Sequence, residues 1–356
     1  MGEVQLMKGN EAIAEAAIRA GMDAYFGYPI TPQSEVLEYL TLQRPEKRTG
    51  MVVLQAESEI AAINMVYGAA GTGKKVMTSS SSPGISLKME GISYIAGAEL
   101  PCLIVNIVRG GPGLGTIQPS QADYFQATKG GGHGDYHMIV LAPASVQEMA
   151  DFVGTGIEMA FRYRNPAMIL SDGLIGQMME KVELPEQKER VKEFDQRWTI
   201  TGKTKDRERN IITSLNLDSE KHYLHNMKLQ EKYNSMKNDV MFEKFHCDDA
   251  EFLLVAYGSS ARICQKAVDT ARSQGKKLGL LRPITLFPFP DAIIAKLTRQ
   301  VKGILSVELS SGQMVEDVRL AVNGRIPVYH YGTPGGKIFS PDDVLNVIEE
   351  KLIGGY

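Results

Sequence analysis

One run of residues, Leu103-Ile104-Val105-Asn106-Ile107-Val108, does more than any other to restrict how this chain folds. It has strand length and is almost wholly apolar, without the alternation of a strand that keeps one face wet. Such a run suits a strand covered on both faces, as in a parallel sheet. Ala24–Gly27, Met51–Leu54, Val76–Ser79, Met138–Leu141 and Ala167–Leu170 read as further strands, and helical patterns separate them. Asn10 is expected to cap a helix that carries Ile13, Ala17 and Ile18 and stops at Gly21. Thr31-Pro32 reads as a helix start, with Pro at the first helical position and Val36, Leu37 and Leu40 behind it. Ser58–Ala70 and the stretch from Ser82-Pro83-Gly84 through Ile95 are two more helices, and Ser145 opens a long one. Strand and helix in alternation imply βαβ units, hence an α/β fold with a doubly wound parallel sheet over residues 1–185.

After that the composition changes. Between Glu186 and Arg209, 14 of 24 residues are charged, too many for the stretch to bury much apolar surface. Residues 186–249 therefore read as a charged connector, with the single Trp198 pinning it to a neighbouring surface and a polar helix around Ser219–Met236. From Ala250 the alternation resumes: strands at Phe252–Gly258, Leu278–Leu281, Ile304–Val307 and Val328–Tyr331, with helices between and after them. Residues 250–356 are thus expected to form a second, smaller α/β domain, and 356 residues suit about two domains.

Several function classes drop out early. A net charge of -3 gives no electrostatic reason to expect nucleic acid or an anionic membrane as a partner. Cys102, Cys247 and Cys264 are far apart and form no Cys-x-x-Cys pair, which argues against a zinc or iron–sulfur site built from this chain. Their scarcity fits a reducing compartment. The first residues show no secretory pattern, Leu6 spoils a myristoylation signal at Gly2, and no apolar stretch approaches bilayer length, so a cytoplasmic protein is expected.

In open α/β sheets ligands bind beyond the carboxyl ends of the strands. Four such loops, holding Tyr28–Thr31, Glu57–Glu59, Ser79–Gly84 and Arg109–Gln118, are expected on one rim. Thr31 offers a hydroxyl at a helix N-terminus, suited to a carboxylate or carbonyl oxygen, or simply to capping its own helix. Glu57 and Glu59 open a helix, where the macrodipole favours a carboxylate in any case. Arg109 follows an apolar strand and opens Gly110-Gly111-Pro112-Gly113-Leu114-Gly115; a guanidinium beside close-approach glycines suits a carboxylate ligand, and equally an exposed loop. Gly68-Ala69-Ala70-Gly71-Thr72-Gly73-Lys74 satisfies most of a phosphate-binding loop. Lys75 stands where Ser or Thr is needed, however, and a helix precedes the glycines, so they read as a helix end. His133-Gly134-Asp135-Tyr136-His137 lies in a Gly-rich loop without fixed ligand geometry, and no metal site is assigned to it. His222, His225, His246 and Cys247 are expected at the surface.

The turn Tyr28-Pro29-Ile30-Thr31-Pro32, then Ser58-Glu59-Ile60-Ala61-Ala62, Ser80-Ser81-Ser82-Pro83-Gly84 and Val108-Arg109-Gly110-Gly111-Pro112 occur in an order similar to that of 2-oxoacid:ferredoxin oxidoreductase alpha subunits. Asn106, Gln118, Gln121 and His133-Gly134-Asp135 continue the likeness, and Arg282-Pro283 with Glu308–Gln313 mark the second domain. The resemblance covers nearly the whole chain outside the connector. It implies a pyrimidine-type thiamine-diphosphate domain followed by a transketolase C-terminal-like domain. It makes Glu59 the catalytic carboxylate, hydrogen-bonded to the aminopyrimidine ring, and puts Tyr28, Pro29 and Ile30 beside the cofactor. Thr31 and Arg109 would hold the 2-oxoacid. The activity implied is coenzyme-A-dependent oxidative decarboxylation with electrons passed to ferredoxin. The chain most resembles the branched-chain (3-methyl-2-oxobutanoate) class and next the 2-oxoglutarate class; a non-catalytic scaffold subunit is the reading from another class. Neither a Gly-Asp-Gly with a downstream Asn nor cluster cysteines occur. The resemblance therefore implies a beta subunit bearing the diphosphate and magnesium site, gamma and ferredoxin-like subunits with the iron–sulfur clusters, and alpha–alpha contacts.

Overall fold

The computed structural model describes residues 3–188, 190, 196–203 and 205–353. Its strands, in chain order, are β1 (Glu3–Lys8), β2 (Ala24–Gly27), β3 (Val52–Gln55), β4 (Val76–Ser80), β5 (Cys102–Val108), β6 (Ile139–Leu141), β7 (Pro166–Asp172) and β8 (Met179–Leu184). They continue with β9 (Phe242–Phe245), β10 (Phe252–Val255), β11 (Leu278–Pro283), β12 (Thr285–Phe287), β13 (Gly303–Glu308) and β14 (Val328–Gly332). A seven-stranded sheet has the order β12-β6-β7-β5-β4-β2-β3 and is parallel except for β12. The apolar run expected to be covered on both faces is β5, buried at every position and flanked by β4 and β7. Helices on both faces supply that cover, Ser82–Gly97 and Val146–Tyr163 among them. The fold is the expected doubly wound α/β type.

A second sheet, β14-β13-β10-β11-β9, is parallel apart from β9. Two strands join it and the first sheet from unexpected places. β9 comes from the stretch read as connector, and β12 leaves the second half of the chain to pair with β6. A buried polar knot ties the halves together: Gln121 donates from Nε2 to the Tyr257 carbonyl at 2.9 Å, while its Oε1 accepts from Ser260 Oγ at 2.6 Å and from the Leu309 amide at 2.9 Å.

Local reading failed at the N-terminus. Glu3–Lys8, where no strand was expected, form β1, antiparallel to β8. Its partner lies far along the chain, and a two-stranded ribbon half open to solvent carries no strong pattern of its own. Lys8, not Asn10, occupies the N-cap of the Gly9–Arg19 helix. Asn10 is buried and donates instead to the Pro32 carbonyl at 2.7 Å and to Glu35 at 3.0 Å.

In the charged stretch, residues 189, 191–195 and 204 lie outside the described residues, as do Met1 and Gly2. Trp198 is half-buried with the Arg164 guanidinium 4.6 Å above its ring, the pinning its isolation suggested. The glycines at 71–73 end the Glu59–Gly71 helix, with Gly73 at φ +78°, and Ile200 donates its amide to the Gly71 carbonyl. That geometry leaves no phosphate-binding loop. The Ser219–Ser235 helix buries Leu229 and Tyr233 and sets Lys228 and Lys232 on Glu99.

Candidate active site

Strand order reverses at β2: the chain steps to β3 on one side and returns to β4 on the other. A crevice beyond the strand ends at such a reversal is where a ligand enters an open α/β sheet. The loops after β2, β3, β4 and β5 all open here, because these four strands are parallel neighbours.

Two residues in this group are bonded directly. Arg109 donates from Nη1 to the Thr31 carbonyl at 2.8 Å and from Nη2 to the Leu114 carbonyl at 3.1 Å. Its amide donates to Ser82 Oγ at 3.1 Å, which seats the loop after β5 against the helix after β4. A guanidinium carries five N–H donors; two are used on neutral carbonyls, and the buried Nε–H has no partner among the described residues. Arg109 therefore keeps both its full charge and free donors for an anionic acceptor.

Thr31 caps no helix. Thr31 and Pro32 lie inside a turn closed by the Gln33 amide on the Ile30 carbonyl, the Thr31–Pro32 peptide is cis, and the helix begins at Ser34 with Gln33 as its N-cap. Both the expected helix start and the capping alternative are thus overturned, and the exposed Thr31 hydroxyl is free of that duty. A buried chain steadies the turn from below. Tyr25 Oη and Ser79 Oγ are 2.8 Å apart, Ser79 Oγ donates to Gln33 Oε1 at 2.5 Å, and Gln33 Nε2 donates to the Tyr28 carbonyl at 3.3 Å. Tyr28 and Ile30 are half-buried and Pro29 is exposed on the same turn.

Glu57 and Glu59 part company. Glu57 is exposed, whereas Glu59 is the first residue of its helix and only 7% exposed. Ser58 caps that helix by accepting from the Ala61 amide at 3.1 Å, so capping makes no demand on the Glu59 carboxylate. Among the described residues no donor hydrogen-bonds that carboxylate. Gly84 lies against it; a Cβ there would stand 2.7 Å from Glu59 Oε1 and would collide with Ser80 Oγ.

Sequence reasoning passed over Ser80, Ser81 and Lys88 as individuals. Ser80 Oγ and Ser81 Oγ are buried without a partner among the described residues, unusual for hydroxyls in a folded interior. Lys88 is fully buried. A lone lysine at i+4 from Gly84, on the helix face that carries Ile85, Met89 and Ile92, was the available signal.

Elsewhere the expectations sort simply. Among the described residues no group of three or more His, Cys, Asp and Glu could hold a metal ion. His137 stacks on Phe287 with ring centroids 4.2 Å apart, and His225 Nε2 lies 2.8 Å from the Gly97 carbonyl oxygen. His222 and His246 are exposed, but Cys247 is buried, contrary to expectation, because β9 folds it under β11.

Comparison with known proteins fits this geometry. The family model described as "Pyruvate flavodoxin/ferredoxin oxidoreductase, thiamine diP-bdg" matches residues 15–243, and "Pyruvate:ferredoxin oxidoreductase core domain II" matches residues 250–344. The chain is 50% identical to the ketoisovalerate oxidoreductase subunit VorB of Methanothermobacter marburgensis, over 97% of each protein. It is 35% identical to the 2-oxoglutarate synthase subunit KorA of Archaeoglobus fulgidus, over 98% of this chain and 100% of that one. Among solved structures, the 2-oxoglutarate:ferredoxin oxidoreductase of Magnetococcus marinus, with 2-oxoglutarate, coenzyme A and succinyl-CoA bound, superimposes with a TM-score of 0.86 at 28% identity. That alignment covers 98% of this chain but 65% of the solved one, so this chain spans just under two thirds of its length. A split-gene transketolase shares the fold at a TM-score of 0.61 and 13% identity.

Proposed function

The chain belongs to the 2-oxoacid:ferredoxin oxidoreductases, and we propose that it is the alpha subunit of one that oxidatively decarboxylates 3-methyl-2-oxobutanoate, with coenzyme A as acyl acceptor and ferredoxin as electron acceptor. The observation that carries the site assignment is Glu59: a nearly buried carboxylate at the strand-order reversal, without a donor among the described residues, beside a glycine that leaves its approach clear and that also borders the orphaned Ser80 hydroxyl. These residues fit the pyrimidine end of thiamine diphosphate, which when bound supplies the carbon nucleophile and electron sink for decarboxylation.

In this reading the Glu59 carboxylate would hold the aminopyrimidine end of the cofactor by accepting a hydrogen bond, and would serve as the general acid–base group there. Arg109 binds the 2-oxoacid carboxylate through its uncommitted N–H groups. Thr31, held next to it through its own carbonyl, donates its hydroxyl to the substrate. Tyr28, Pro29 and Ile30 form the wall of the turn that keeps water away from the reacting carbon.

Substrate class is supported by two observations. The relatives at 50% identity are named for ketoisovalerate, against 35% and below for those named for 2-oxoglutarate. Arg109 is also the only charged residue between positions 109 and 118, where Leu114 and Ile117 are exposed. A second carboxylate would need a further cation, whereas a branched aliphatic tail needs apolar surface. Turnover of the reconstituted complex with 3-methyl-2-oxobutanoate against 2-oxoglutarate tests this; preference for the dicarboxylate overturns it.

The relatives are subunits, and a hetero-oligomer is the working form. Diphosphate and magnesium fall to a beta subunit, since this chain has no Gly-Asp-Gly motif, and iron–sulfur clusters to gamma and ferredoxin-like subunits. Alpha–alpha contacts and a cytoplasmic location complete the proposal. Among the described residues no helix is long and apolar enough to cross a membrane. The purified single chain is expected to show no 2-oxoacid-dependent dye reduction.

A further inference from the structure

Lys88 is a fully buried lysine that the proposed reaction leaves unused. It sits one turn beyond Gly84 on the Ser82–Gly97 helix, and long helical side chains lean toward the helix N-terminus, so its ammonium is carried back toward the level of Gly84 and Glu59. There it donates to Thr78 Oγ1 at 2.5 Å and to the Ser79 carbonyl at 3.3 Å, both on β4. Among the described residues no carboxylate lies within ion-pair distance of it. Burial pulls its pKa down to about 7, and the charge that opposes this is Glu59. On the elements around it, Tyr25 on β2 is bonded to Ser79, Asp123, after β5, to Asn106, and Tyr94 to Glu90 on the lysine's own helix, while Tyr67 on the Glu59–Gly71 helix and Cys102 on β5 are the remaining titratable side chains.

An apolar residue at this position would continue the Ile85, Met89 and Ile92 face without the cost of desolvating an ammonium. What a lysine adds is a positive charge near Glu59. That charge matters most when a ring covers the carboxylate. Removing the last water favours the protonated acid, which has lost its value as an acceptor, and a nearby cation offsets the effect.

We infer that Lys88 is a positioning residue for Glu59: its buried ammonium, anchored on Thr78 and Ser79 of β4, is the cation that holds the Glu59 carboxylate in place as an acceptor for the cofactor. The inference rests on the assignment of Glu59 to the cofactor ring.

The test is a double-mutant cycle on the full chain, read as melting temperature near pH 6, about one unit below the lysine's titration. Glu59→Gln is expected to lower the melting temperature in the wild-type background, where it removes an attraction. In the Lys88→Met background it is expected to raise it, because there it removes a stranded charge. Equal shifts in the two backgrounds overturn the inference. Should Lys88→Met fail to fold, the Glu59→Gln shift is measured in the otherwise wild-type chain near pH 6 and near pH 9, across the titration of Lys88. The shift reverses or vanishes at the higher pH if Lys88 is the partner, and an unchanged shift rejects it. In the reconstituted complex, Lys88→Met should move the acid limb of kcat/KM to higher pH; an unmoved limb counts against the inference. If Glu59→Gln leaves turnover intact, the functional reading falls, while the melting cycle still decides whether the two residues are coupled.

Discussion

Arg109 and Thr31 stand 78 residues apart in sequence and are joined by a single bond, from the arginine's Nη1 to the threonine's carbonyl oxygen at 2.8 Å. Through it the loop after β5 holds the turn after β2, and the two residues proposed to bind substrate become one rigid unit. The guanidinium is committed at its two ends to backbone oxygens and still has N–H groups to offer.

Arg109→Lys tests that dual role. Lysine keeps the charge but loses the planar fork, so it cannot brace both loops and clamp a carboxylate together. The KM for the 2-oxoacid is expected to rise by roughly ten- to a hundredfold, the range of about 1.5–3 kcal/mol for a hydrogen bond to a charged group. Steady-state kinetics of the assembled complex measure it, and a KM within twofold of wild type would remove Arg109 from the site.

Glu59→Gln preserves shape and removes the proton-accepting group. Turnover should fall by about 10²–10⁴-fold, the usual contribution of a positioned acid–base group, with subunit assembly unchanged on gel filtration. Full turnover would instead support a scaffold role for this chain.

Gly84→Ala probes the cleared approach to Glu59. The added methyl would stand 2.7 Å from Glu59 Oε1 and press on Ser80 Oγ, so one of them must move. The expected cost is about 1–3 kcal/mol of stability, typical of overpacking, together with weaker thiamine diphosphate binding in the complex. Calorimetric titration and thermal unfolding read the two effects separately.

Stability should also carry the signature of Lys88. Its pKa is about 7 in the folded chain against an ordinary 10.5, so between these values the unfolded chain binds a proton that the folded one does not. Stability from this group therefore rises with pH across that window. The cost of burying it is fully present below pH 7 and gone above about 10.5. Lys88→Met is expected to gain stability over wild type near pH 6, by an amount that shrinks toward pH 10. Denaturant unfolding at several pH values checks the sign, and a gain that grows with pH would contradict it.

Much of the fold was legible along the chain, because burial on both faces leaves a continuous apolar run and alternation with helices leaves a period. β5, the Ser58-capped helix, the long helix after Ser145 and the helical end at Gly71–Gly73 all follow from such local patterns. The motif order gave the family, and with it Thr31, Glu59 and Arg109 as the residues to inspect.

Tertiary structure decided what those residues are free to do. Sequence made Thr31 a plausible helix cap, yet the turn it sits in ends before the helix begins. Their place at a helix start made Glu57 and Glu59 equivalent, yet one faces solvent and the other Gly84. Sequence reasoning gave no weight to Lys88, whose meaning depends on β4 beneath it and on Glu59 from another helix. β1 and β12 likewise found partners that no neighbouring residue announces. The physical reason is common to all of these. Periodicity records which side of an element is dry, but a hydrogen bond or a charge coupling depends on which distant segment the folded chain brings to that side.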